Sequence, residues 1–112
     1  MVKQFKLNAP EKRQLRKELY DRDGHHCHYC GIPEDEFQQI WGGPFYGGFK
    51  RGSILEIDRT MNGLGYSISN CVLACAICNM SKSDKFSYDE FKKVGAVIHE
   101  IWQNRKKTRT HD

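Results

Sequence analysis

Four of the five cysteines fall into two close pairs, Cys27-x-x-Cys30 and Cys75-x-x-Cys78. A spacing of two lets one tight turn aim both sulfurs at a point, and two such turns complete the tetrahedron that Zn²⁺ prefers. The alternatives are a redox Cys-x-x-Cys and buried apolar thiols, but a redox site needs one pair and leaves the other unexplained. Disulfides fit poorly, because the chain reads as intracellular. No apolar run approaches the roughly 18 residues that cross a bilayer, and the N-terminus lacks the apolar stretch of a secretory signal. The spacing therefore predicts one structural Zn²⁺ on Cys27, Cys30, Cys75 and Cys78. Cys71 lies outside both pairs, just after a possible turn at Ser69-Asn70, and reads as a small buried core residue.

Charge is the second feature with chemical meaning. The 112 residues carry 18 Lys/Arg against 14 Asp/Glu, a net +4, and both ends are basic: residues 1–22 hold +4 and residues 105–112 hold +3, against −3 between them. Such ends suit a polyanion, with nucleic acid the natural one, or simply a solvated helix face. Arg16, Arg105, Lys106 and Lys107 are the candidate contacts there. The stretch from Trp41 to Gly52 gathers five of the ten glycines, four aromatics, Lys50 and Arg51. It reads either as a loop packed over a small core or as a loop that stacks bases and touches phosphates.

The elements that must position these groups are legible from caps and periodicity. Asn8, Pro10 and Glu11 form a helix start with a capping-box pattern, predicting a basic helix over about 8–22 with Leu15 and Leu19 on one face. Glu34 to Glu36 opens a short turn that carries Phe37, Ile40 and Trp41 inward. Ser53 to Asp58 and Cys71 to Ala74 read as two short strands joined through turn residues at Asn62-Gly63 and Gly65. A short helix follows from Ala76 to about Asp84. Ser87 to Glu90 is a second capping box, opening a helix over about 87–104 whose stripe Phe91, Val94, Ile98, Ile101 and Trp102 is core. His99 beside it reads as a surface or packing residue, and the basic tail from Asn104 as frayed.

The order of these motifs resembles the HNH endonucleases, in the small zinc-stabilised form common among phage proteins. The resemblance spans about residues 16–85. It is carried by Tyr20 to Gly24, Cys27-x-x-Cys30-Gly31, Ile57-Asp58, Asn70, Val72 to Cys75, Cys78-Asn79 and Lys82. It implies an α+β fold with a ββα-metal core inside a single 1–112 domain, flanked by the N- and C-terminal helices. It also implies one catalytic divalent ion, distinct from the zinc, on Asp58 and Asn79. Hard oxygen ligands suit Mg²⁺ or Mn²⁺, and a site with few protein ligands leaves positions for a phosphate and for water. Asn70 corresponds to the residue that braces the loop bearing the general base. Lys82 and Arg51 join the basic residues expected to touch DNA.

The chain departs from the family at position 59, where Arg follows Asp58 in place of the histidine that activates water. A guanidinium stays protonated at neutral pH and cannot serve as a base. Ile-Asp-Arg followed by Gly65-Tyr66 and Asn70 is similar to a divergent branch of HNH-like proteins. There Arg59 would hold a phosphate oxygen while the base is His25, His26, His28 or Tyr66. The resemblance thus implies a metal-dependent DNA endonuclease that hydrolyses phosphodiester bonds. Its alternative is a catalytically impaired zinc module that binds nucleic acid or a protein partner.

Overall fold

The computed structural model of the chain describes residues 6–43 and 51–110. The element order is helix α1 (Ala9–Asp23), a 3-10 turn (Glu34–Glu36), helix α2 (Phe37–Trp41), strand β1 (Glu56–Arg59), strand β2 (Cys71–Ala74), helix α3 (Ala76–Lys82) and helix α4 (Tyr88–Thr110). It is a small α+β fold around a two-stranded sheet. No helix of the described residues is long and apolar enough to cross a membrane. Lys50 and most of the glycine-aromatic stretch lie outside the described residues.

Helix α1 begins as its caps require. The Asn8 side chain accepts from the Glu11 N–H, and the Glu11 carboxylate accepts from the Asn8 N–H, both at 2.9 Å. Leu15 and Leu19 are buried. At its far end Arg22 reaches across to β2, its guanidinium donating to the carbonyl oxygens of Ile68 and Cys71.

β1 and β2 pair antiparallel, with Asp58 opposite Val72 and Arg59 opposite Cys71. β1 starts three residues later than expected. Leu55 gives its N–H to the Glu34 carboxylate and its carbonyl to Arg16, so it is drawn to α1 and the turn and not into the ladder. β2 is buried along its whole length, Cys71 included. Its outer edge meets the first cysteine turn, where the His28 N–H donates to the Leu73 carbonyl at 2.8 Å.

α4 opens on the second capping box, with Ser87 and Glu90 exchanging side-chain and backbone bonds. Phe91 and Trp102 are buried and Val94 and Ile98 pack against the core. Two expectations fail here. Ile101 is 44% exposed, because the contact face of the helix is narrower than the apolar stripe. The tail does not fray at Asn104: helix continues to Thr110, with Arg105 donating to the Ile40 carbonyl at 3.0 Å and Lys106 paired with Glu36 at 3.3 Å. These contacts dock the last turns on α2 and the turn before it.

Gly95 marks the closest approach of α4 to the cysteine turn. A β-carbon there would lie 2.4 Å from the Tyr29 carbonyl oxygen, a backbone atom that cannot swing aside. Gly→Ala inside a helix ordinarily gains about 0.5–1 kcal/mol. At Gly95 the sign should reverse, with Gly95→Ala losing roughly 1–3 kcal/mol by overpacking. Urea unfolding of the zinc-loaded protein measures it, and an unchanged midpoint would mean that the helix stands off from the turn.

Candidate functional site

Two groups of side chains could do chemistry. The first is the cysteine quartet. Cys27 and Cys30 sit on a turn closed by Gly31 N–H to the Cys27 carbonyl and by Cys27 N–H to the Ile32 carbonyl. Gly31 has φ +74°, a left-handed conformation that glycine adopts without strain. The second turn runs straight into α3, where the Cys75 sulfur accepts from the Cys78 N–H and caps the helix. All four residues are buried, and their sulfurs lie within 4.8 Å of one another.

The donor set fits a tetrahedral metal such as zinc. A Zn–S length of about 2.3 Å implies sulfurs about 3.8 Å apart, and Cys30 and Cys75 are separated by 3.8 Å. Charge points the same way. Hydrogen bonds from the other thiols, Cys30 first, hold the Cys27 thiol far below its ordinary value. The Cys27 sulfur in turn pushes Cys75 and Cys78 far above theirs. The Cys30 thiol, pushed up by Cys27 but pulled down by Cys75 and Cys78, also lies below its ordinary value. A dication lets all four ionise. His99 packs on this turn from α4, with Nδ1 2.9 Å from the Cys30 carbonyl oxygen.

The second centre is a cavity of about 380 Å³ lined by Ile57, Asp58, Arg59, Asn62, Tyr66, Asn79, Ser83 and Asp84. β1 supplies Ile57, Asp58 and Arg59, the loop between the strands supplies Asn62 and Tyr66, and α3 and the residues just after it supply Asn79, Ser83 and Asp84. The loop is held by Asn70, which is buried. Its amide oxygen accepts from the Thr60 hydroxyl and the Met61 N–H, and its amide nitrogen donates to the Met61 and Gly65 carbonyls. Those four bonds satisfy the side chain completely.

Asp58 is 6% exposed. The Tyr29 hydroxyl donates to Oδ2 at 2.5 Å and the Lys82 ammonium to Oδ1 at 3.4 Å. One donor per oxygen leaves each a second lone pair. Burial pushes the Asp58 carboxyl above its ordinary value, against the pull of Tyr29 and Lys82. Asn79 donates its amide N–H to Glu56 Oε1 at 2.7 Å, which leaves Oδ1 as its acceptor. Glu56 feels burial pushing it up, yet Arg51 and Asn79 hold it below the ordinary carboxylate range. Arg59 lies 4.9 Å from the centroid of the Tyr66 ring and donates to the Leu64 carbonyl.

Lys82 corrects an expectation. The sequence suggests a DNA contact, but the residue is 1% exposed and donates inward, to Asp58 and to the Arg59 carbonyl. Removing one partner of a buried ion pair leaves an uncompensated charge and typically costs about 3–5 kcal/mol. Lys82→Met should therefore lower the unfolding free energy by that amount at saturating zinc. A loss below about 1 kcal/mol in a denaturant titration would place the ammonium in solvent.

The other basic candidates are spread over the molecule. Arg16 donates to the Leu55 carbonyl, Arg51 pairs with Glu56, Arg105 lies over the Trp102 ring and Lys107 is exposed. Among the candidate bases only Tyr66 reaches the cavity. His25 stacks on Tyr20, with ring centroids 3.8 Å apart, and faces Glu34; His28 bonds the Tyr88 hydroxyl, and His26 bridges to Pro33. Sequence reasoning missed Tyr29 and Glu56. Glu56 had a signal, since it precedes Asp58 by two on a strand and so shares its face.

The two-stranded sheet leading into a short helix, the cysteine quartet and the polar cavity go with an HNH-type nuclease fold, which the similarity to a solved structure supports. Among solved structures the chain is similar to the rare-cutting HNH restriction endonuclease PacI, whose structure exhibits a mechanism of DNA perturbation. The two chains are 27% identical, the match covers 95% of this chain and 91% of that one, and the TM-score is 0.63. No protein-family model matches the sequence, and neither does any curated protein.

Proposed function

We propose that the chain is a metal-dependent DNA endonuclease of the HNH type that hydrolyses phosphodiester bonds, acting as a single 1–112 domain with a ββα-metal core. The observation that carries this reading is the cavity, which gathers Asp58, Arg59, Tyr66 and Asn79 in a fold similar to that of a DNA-cutting enzyme. Zinc in the cysteine quartet has a structural role. Asp58 and Asn79 would hold Mg²⁺ or Mn²⁺, which supplies charge neutralisation at the reacting phosphate.

The chain's own groups have separate tasks. Asp58 offers a carboxylate oriented by two donors, and Asn79 an amide oxygen whose nitrogen is occupied by Glu56. Arg59 presents N–H donors to a phosphate oxygen, strengthening as negative charge develops. Tyr66, on the loop that Asn70 braces, is the one of the candidate bases that lines the cavity, and is proposed to pass a proton to and from water. Arg16, Lys50, Arg51, Arg105, Lys106 and Lys107 are the proposed phosphate contacts, giving affinity without sequence reading.

A second reading, a silent module that binds nucleic acid or a protein partner, is favoured by one observation: no imidazole lines the cavity among the described residues. Plasmid nicking by the purified zinc-loaded protein decides between them. The nuclease should convert supercoiled to open-circular DNA with Mg²⁺ or Mn²⁺ and stop on addition of EDTA. Binding without cleavage under every metal would establish the silent module.

A further inference from the structure

Tyr29 lies between two residues of the cysteine quartet, yet its hydroxyl ends on the cavity's carboxylate. Its ring packs edge-on to Phe91 with centroids 5.1 Å apart, and more loosely against Tyr88 at 5.9 Å. Its backbone is pressed by α4 at Gly95. Both Tyr29 and Asp58 are 6% exposed, so water does not compete for the 2.5 Å bond between them. The hydroxyl is therefore placed by the cysteine turn and α4, elements that belong to neither strand nor to α3.

The last torsion of an aspartate is broad, and a buried carboxylate with a single partner can turn about it. Asp58 has two partners on two different elements, Tyr29 on Oδ2 and Lys82 on Oδ1, and the pair fixes the plane of the carboxylate. Groups that hydrogen-bond a metal-ligating side chain from behind commonly change metal affinity or activity by roughly 10- to 100-fold when removed.

We propose that Tyr29 is a positioning residue that orients Asp58 for the divalent ion, so that the cysteine turn, when formed, also sets the geometry of the cavity. This rests on the reading of Asp58 as an ion ligand. Tyr29 touches neither ion nor substrate; it acts through the carboxylate.

The test uses full-length, zinc-loaded protein with Mn²⁺ as the probe, bound Mn²⁺ being read by electron paramagnetic resonance. Wild type should bind Mn²⁺ and Asp58→Asn should lose it. Tyr29→Phe keeps the ring, and should keep its zinc and its far-ultraviolet spectrum while binding Mn²⁺ roughly 10- to 100-fold more weakly. Half-maximal nicking should then need correspondingly more Mn²⁺, and saturating Mn²⁺ should restore most of the rate. A purely structural tyrosine would lower zinc content or thermal stability and leave Mn²⁺ affinity per folded molecule unchanged.

Equal Mn²⁺ affinity in wild type and Tyr29→Phe, with Asp58→Asn still inactive in binding, overturns the role of Tyr29 and leaves the ion site standing. Undiminished Mn²⁺ binding by Asp58→Asn overturns the ion site itself, and the role of Tyr29 with it. If Tyr29→Phe does not fold, p-aminophenylalanine and p-fluorophenylalanine at position 29 fill the hydroxyl's space with and without a donor. Only the first should bind Mn²⁺ like wild type, and equal affinity of the two overturns the proposal.

Discussion

Stripping the metal from the cysteine quartet should unfold the protein. Structural zinc contributes on the order of 10 kcal/mol to small domains, and the whole stability of such a domain is about 5–15 kcal/mol. The quartet ties Cys27 and Cys30 to Cys75 and Cys78, and Cys30 and Cys75 are 45 positions apart, so the loss is not local. α1, α2 and the first cysteine turn would be released from β2 and α3 together. Dialysis against a strong chelator, followed by circular dichroism, should show the helical signal collapse and return on addition of Zn²⁺. Cys30→Ser should behave like the chelated protein. Elemental analysis that finds folded protein without zinc would end the claim.

The second large effect falls on catalysis. If the cavity cuts DNA, Asp58→Asn should abolish nicking and Arg59→Ala should slow it by roughly 10²- to 10³-fold, the loss typical of removing one preorganised donor from developing charge. Arg59 is half-buried and its guanidinium meets one carbonyl and one ring face, so its removal should leave zinc content and melting temperature unchanged. Should wild type not nick, Arg59→Ala would only weaken DNA binding. Arg59→His, which supplies a proton acceptor near neutral pH, could then confer nicking. Wild-type nicking that survives both Asp58→Asn and Arg59→Ala would remove the cavity from the reaction.

What was legible in the sequence was local. The Asn8–Glu11 and Ser87–Glu90 boxes each close over three residues, and the starts of α1 and α4 followed from them. The cysteine spacing pointed to a cluster that the fold brings together. What stayed hidden depends on partners far along the chain. Lys82 looks like any basic residue near a helix end, and its burial is explained by Asp58 and the Arg59 carbonyl, 24 and 23 positions away. The end of α4 depends on the Ile40 carbonyl, 65 positions from Arg105. β1 begins late because Glu34, 21 positions earlier, takes the Leu55 N–H. Periodicity sees none of these pairings, since they are set by which elements meet and not by what each element prefers.

The outer edge of β2 bears on the fate of the metal-free chain. A strand edge with free carbonyls is a template on which another chain can add a strand. Here the outward carbonyls of Leu73 and Cys71 are already taken, one by the His28 N–H of the cysteine turn and the other by the Arg22 guanidinium. The turn thus guards an apolar four-residue strand against self-association. Its release on chelation would leave Cys71 to Ala74 free to pair between chains, so chelated protein held at high concentration, unlike the dilute sample that recovers with Zn²⁺, should lose solubility with a rise in β signal, where charge repulsion alone would have kept an unfolded chain of net charge +4 dispersed.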